Sequence, residues 1–168
     1  IILTSSVGGR MASMSIGGYA SSKFAIEGWA ESLHQEMSAF NVSVSLLEPG
    51  LIRTPHFGIH RNVSRRAGDP TSPYYAWFRR HESLVDGLLA KSSFTTADVA
   101  RKVEHILNSR HPRLRYVIGT KAKWVLGLRR YIPGELFESI YWRAVRRIVM
   151  RPERTDPTGL HSFKKKVL

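Results

Sequence analysis

The chain has 168 residues, no cysteine and a formal net charge of +13. That length suits one domain with a real core, and the missing thiols exclude a disulfide framework or a thiolate metal site. No run approaches the ~18 apolar residues of a membrane-spanning helix; the expected setting is reducing and cytoplasmic, with association at a membrane surface as the further option.

Ile1-Ile-Leu3 reads as the end of a buried strand, residues 1–6, with Ser6 at its carboxyl end. Ligands of open α/β sheets bind beyond the carboxyl ends of the strands, so Ser6 is a candidate for chemistry. For a lone serine, a turn hydroxyl bonded to its own backbone is the plainer reading. Gly8-Gly9 and Gly17-Gly18 then bracket a mobile connection carrying Met11 and Met14, which read as packing residues.

Tyr19 and Lys23 follow, four positions apart. On a helix that spacing places both side chains on one face, one turn apart. An ammonium beside a phenol favours the phenolate, which suits the pair to proton exchange with an alcohol or carbonyl oxygen. The spacing alone is a weak motif in a chain with six Tyr and eight Lys; its surroundings give it weight. A helix is expected from about Gly18 to Ala39. Its buried stripe is Ile26, Trp29 or Ala30, Leu33, Met37 and Phe40, with Trp29 and Met37 read as core. A second buried strand is expected over Val42 to Leu47, ended by Glu48 and Pro49. In the turn that follows, Gly50 is read as free to take a positive φ, so that backbone amides can approach a ligand.

Strand-end Ser6, Tyr19-x-x-x-Lys23 opening a helix, a strand, and Pro49-Gly50-x-x-x-Thr54 occur in that order. This ordered set resembles the short-chain dehydrogenase/reductase family. The resemblance implies an α/β fold, part of a Rossmann-like doubly wound parallel sheet with C-terminal amphipathic helices. It implies catalysis by Ser6, Tyr19 and Lys23, and cofactor contacts from Tyr19, Lys23, Pro49, Gly50, Ile52 and Thr54. The cofactor would be NAD or NADP, with no metal, and the substrate a small molecule bearing a carbonyl or alcohol. The same resemblance implies a homodimer through the Tyr19–Ala39 helix. The family's Gly-rich pyrophosphate turn and its catalytic Asn are not visible, since no Gly-x-x-x-Gly-x-Gly occurs. With Ile1 already inside an apparent strand, the expectation is a C-terminal portion lacking the N-terminal cofactor-binding half, and inactive by itself. The choice between NAD and NADP would rest in that half.

Residues 55–93 are rich in Pro, Gly, Ser, His and Arg, and Tyr74, Tyr75, Trp77 and Phe78 open a helix running towards Leu89. In the resembled family this segment is a substrate lid, and its aromatics suit an apolar substrate as well as they suit packing. His56 and His60 stand four apart, but Gly58 weakens a helix there and no third ligand is spaced to help, so no metal site is read. Thr95 or Thr96 begins a helix with Asp98 in its first turn and Val99, Val103, Ile106 and Leu107 as its stripe. Arg115 to Gly119 reads as a last short strand, which the resemblance would place at the sheet's far edge.

Two basic amphipathic helices are expected over about Thr120–Tyr131 and Glu135–Met150, divided by Pro133-Gly134, and residues 151–168 read as a disordered basic tail. The organisation expected is thus 1–119 as sheet, site and lid, 120–150 as helical extension, and 151–168 as tail. Residues 1–96 carry nine Lys/Arg against seven Asp/Glu, while 97–168 carry seventeen against six. That asymmetry points the C-terminal part towards an anionic partner, with peripheral membrane contact by residues 120–150 preferred over nucleic acid; a plain solvated surface is the blander reading. The rival to an enzyme is a noncatalytic Rossmann-like module that binds an anionic surface through those helices. An epimerase or dehydratase of the family's extended branch is a minor third reading, disfavoured by Pro-Gly-x-x-x-Thr directly after the second strand.

Overall fold

A computed structural model describes residues 1–54 and 63–149. Three parallel strands form one sheet in the order β1 (Ile2–Thr4), β2 (Ser45–Pro49), β3 (Arg115–Ile118). Helix α1 (Gly17–Ser38) links the first two strands, while α2 (Tyr75–Ala90) and α3 (Thr96–Leu107) precede the third. Helices α4 (Thr120–Tyr131) and α5 (Gly134–Val149) follow it. Parallel pairing with helical crossovers is the α/β arrangement expected from the sequence, and β3 lies at an edge of the sheet among the described residues.

The core sits against the central strand. Val44, Ser45, Leu46, Leu47 and Glu48 are all buried, and Leu47 packs with Ile52, Ile106 and Ile118. A strand flanked on both sides and covered on both faces reads as a continuous apolar run, which explains Val-Ser-Leu-Leu. Its position differs from the expected Val42–Leu47. Asn41 adopts φ 56°, and Val42 N–H donates to Met37 O, so residues 39–42 complete the helix exit instead of starting the strand. Pro49 stays in the strand, paired with Ile118, and the first amide beyond it, Gly50 N–H, donates to Ile118 O at 2.9 Å. Pro49 has no N–H to give to the ladder, and the strand ends at it.

Helix α1 also corrects an expectation. Its closest-packed residues are Ala20, Glu27 and Ala30, whereas Trp29 is 58% exposed, Phe40 is exposed and Met37 is half-buried. Small side chains at Ala20 and Ala30 let the helix axis approach the sheet, Glu27 is buried against Arg115, and Trp29 is left on the outward side. The C-terminal helices match their expected limits within a residue. Val145, Val149 and Phe137 of α5 turn inward, and Trp142 stacks on Trp77 of α2 with centroids 6.3 Å apart. His56, His60 and the tail 151–168 lie outside the described residues.

Candidate active site

Parallel strands bring their carboxyl ends to one edge, and the candidate residues gather there. Ser6 stands two residues beyond β1 and caps a short 3-10 helix, Val7–Gly9, accepting from Gly8 N–H at 3.1 Å. Its hydroxyl donates to Pro49 O at 3.3 Å, tying the end of β1 to the turn after β2. This turn-capping bond is the ordinary role that a serine fills, and it also fixes the oxygen in space.

Tyr19 and Lys23 occupy successive turns at the start of α1. Tyr19 is 41% exposed. Lys23 Nζ lies 5.8 Å from the Tyr19 ring centroid and donates to Thr4 O at 3.0 Å. Gly8 joins the third group to these two. A Cβ at Gly8 would sit 3.0 Å from Tyr19 Cε1 and 3.5 Å from Ser6 Oγ, so serine and tyrosine border the same small space. Ser6, Tyr19 and Lys23 are therefore brought together at one end of the sheet.

The glycine pair Gly8-Gly9 packs closely against its surroundings. A Cβ at Gly9 would stand 2.6 Å from Ser5 Oγ and 2.8 Å from Lys23 O. Glycine is required because the loop presses directly on the α1 backbone, which sets the height of Lys23 above the sheet. Gly50 likewise differs from expectation. It does not take a positive φ, and its amide is committed to Ile118 O; its missing side chain admits Ala122 of α4, whose Cβ would be 3.2 Å from a Cβ at Gly50. The positive-φ glycine among the described residues is Gly119, at 113°, where the chain turns from β3 into α4. Ile52 points into the core, and Thr54 is half-buried at the last described residue before 63.

An ion cluster behind the site was missed in the sequence. Glu48 has no exposed side-chain surface; its Oε1 lies 3.2 Å from Arg10 Nη1 and 3.1 Å from Arg115 Nε. Arg115 also meets buried Glu27 at 3.1 Å and pairs with Glu31. Burial, and then the neighbouring Glu27 carboxylate, raise the Glu48 pKa above its ordinary 4.5, with Arg10 and Arg115 pulling the other way. The available signal was a glutamate inside an otherwise apolar strand, which demands a cation nearby. Through Arg10, the cluster anchors the loop that leads from Ser6 to Tyr19. A cleft of about 290 Å³ adjoins this loop, lined by Arg10 and by Leu126, Arg129 and Arg130 of α4.

A parallel α/β sheet with serine, tyrosine and lysine at its carboxyl edge defines the class as Rossmann-like. Residues 1–62 match the short chain dehydrogenase family model. The chain is 33% identical over 141 residues to "Uncharacterized oxidoreductase YbbO" of Escherichia coli K12, covering 83% of this chain and 47% of that protein. It is 30% identical over 151 residues to human "Retinol dehydrogenase 5", covering 83% and 46%. The structure resembles a short chain dehydrogenase/reductase of Burkholderia phymatum solved in complex with NAD, with TM-score 0.59 and 21% identity over 85% of this chain and 48% of that one. The match over residues 1–62 and these relatives support a member of the short-chain dehydrogenase/reductase family. It spans about half the length of the curated relatives it matches.

Proposed function

We propose that these residues form the reacting side of a nicotinamide-dependent oxidoreductase acting on a carbonyl or alcohol of an apolar substrate. The observation that carries the reading is the shared space at Gly8, bordered by Ser6 Oγ and the Tyr19 ring, with Lys23 one turn further on. A phenol, an ammonium and a hydroxyl at the open edge of a parallel sheet fit NAD or NADP chemically: the ammonium suits ribose hydroxyls and the phenol suits a reacting oxygen. The nicotinamide supplies hydride transfer when bound; the chain's own groups handle the oxygen and its proton. In reduction, the Ser6 hydroxyl turns from Pro49 O to donate to the substrate oxygen and orient it, Tyr19 gives that oxygen its proton, and Lys23 stabilises the negative charge left on the phenol. Oxidation reverses the proton's direction. The Pro49–Thr54 stretch lines the cofactor side in this reading, with Thr54 offering a hydroxyl.

The 168 residues contain no Gly-x-x-x-Gly-x-Gly turn for a pyrophosphate, so the chain alone is proposed to be inactive. Nicotinamide-dependent carbonyl reduction by the isolated chain would overturn that part. The catalytic part is tested in a chimaera that adds the Gly-rich half of a short-chain dehydrogenase. There Tyr19→Phe is expected to lower kcat by ~100-fold or more with cofactor binding retained. A Tyr19→Phe chimaera as fast as its parent would sink the assignment.

Trp29, exposed on the side of α1 opposite Ala20, and Phe40, exposed just past the end of the helix, support a homodimer through this helix. Sedimentation of the chimaera checks it: Trp29→Glu is expected to shift a dimer to monomer.

A further inference from the structure

Helix α4 is pinned to the sheet by one side only. Leu126 is buried, Ala122 and Val125 are half-buried, and Ala122 abuts Gly50. The opposite side carries Trp124, Leu128 and Tyr131, which are 78%, 55% and 83% exposed. Their spacing of four and three places them on a single stripe. Lys121 borders the stripe on one flank, Lys123 and Arg130 on the other, and all three are exposed. Helix α5 adds a second stripe of the same make: Leu136 and Ile140, exposed, continue at helical spacing into exposed Arg143 and Arg147. Residues 120–149 hold seven Lys/Arg against two Asp/Glu.

We propose that α4, assisted by α5, docks the protein on an anionic lipid bilayer, with Trp124, Leu128 and Tyr131 entering the headgroup boundary. Three adjacent apolar side chains directed at water gain from an apolar medium, and the flanking cations gain from a negative surface. A second copy of this face would set Lys121, Lys123 and Arg130 against their own equivalents, and residues 150–168 are themselves basic. A nucleic acid would use the cations and leave the Trp-Leu-Tyr stripe unsatisfied. No described helix is long and apolar enough to cross a membrane, so the contact lies in the interfacial plane. This inference stands apart from the catalytic reading.

The test is flotation of the 168-residue chain with vesicles of phosphatidylcholine alone and of phosphatidylcholine with phosphatidylserine at about 30%. Binding to the anionic vesicles, a blue shift of tryptophan emission and weakening with salt are expected. The double variant Trp124→Ala/Leu128→Ala should bind ~10-fold more weakly with an unchanged circular dichroism spectrum. Lys121→Glu/Lys123→Glu should lose the preference for phosphatidylserine. Leu107→Ala, which removes an exposed apolar side chain on α3, should bind like the parent. Equal binding by the α4 variants, loss caused equally by Leu107→Ala, or capture of an oligonucleotide without vesicle binding would each overturn the proposal. So would a self-association that the α4 substitutions abolish with no lipid binding by the parent.

Discussion

Gly8 and Gly9 are adjacent and do different work. At Gly9 a new Cβ meets backbone, Lys23 O at 2.8 Å, which cannot move without shifting α1. Gly9→Ala is expected to destabilise the fold by roughly 1–3 kcal/mol, the usual cost of overpacking, read as a lower urea midpoint. At Gly8 the nearest atom is Tyr19 Cε1, the edge of a ring that can turn aside. Gly8→Ala should therefore leave the unfolding free energy from urea melts within about 0.5 kcal/mol of the parent, while lowering kcat in the active chimaera. Unchanged turnover there would show that Tyr19 and Ser6 need not share that space. Glu48 gives a pH signature. Its folded pKa is raised above 4.5, so the folded state favours the protonated form. Its contribution to stability is full below the ordinary value and is lost as pH rises through the raised one. Urea melts of the parent and Glu48→Gln, run from pH 5 to 8, should diverge as pH rises, with the parent losing ground.

At the scale of elements, the helix ends were the most readable features. Thr95-x-x-Asp98 is a reciprocal cap: Thr95 N–H donates to Asp98 Oδ2 at 2.7 Å, and the Thr95 hydroxyl donates to the same oxygen at 3.0 Å. Those bonds, the backbone one first, lower the Asp98 pKa below its ordinary 3.8. The stabilisation is present above that value and lost as pH falls through the depressed one. Thr95→Ala should cost about 1 kcal/mol at neutral pH, and the difference from the parent should shrink in acid melts below about pH 3.8. Caps and helix-stopping residues act within four positions, so α3, α4 and α5 were legible from local sequence. The limits of β2 were not, because Asn41's left-handed turn and Pro49's pairing with Ile118 depend on what the strand lies beside.

For the molecule as a whole, the cluster around Arg115 joins parts far apart in the chain. One guanidinium from β3 serves Glu27 and Glu31 of α1 and Glu48 of β2, and Arg10 completes the charge balance from the site loop. Removing it leaves two buried carboxylates short of a partner. Arg115→Ala is expected to cost ~3–5 kcal/mol, whereas Arg101→Ala at the exposed pair with Asp98 should change stability by less than about 1 kcal/mol. Equal effects in thermal unfolding would show that the cluster is not holding these elements together.

Sequence by itself determined the order of elements and the amphipathic C-terminal helices, through periodicity and capping along the chain. The parallel α/β class and the grouping of Ser6, Tyr19 and Lys23 came from the motif order and the family resemblance it carries. Tertiary structure decided that Trp29 faces outward while Glu27 is buried, that Gly8, Gly9 and Gly50 are glycines for close approach, and that Glu48 sits between two arginines. Burial of these charges depends on neighbours 38 to 88 positions away, such as Arg10 with Glu48 and Glu27 with Arg115, and the room at Gly8 and Gly9 on Tyr19 and Lys23 of a different element, which no local pattern encodes.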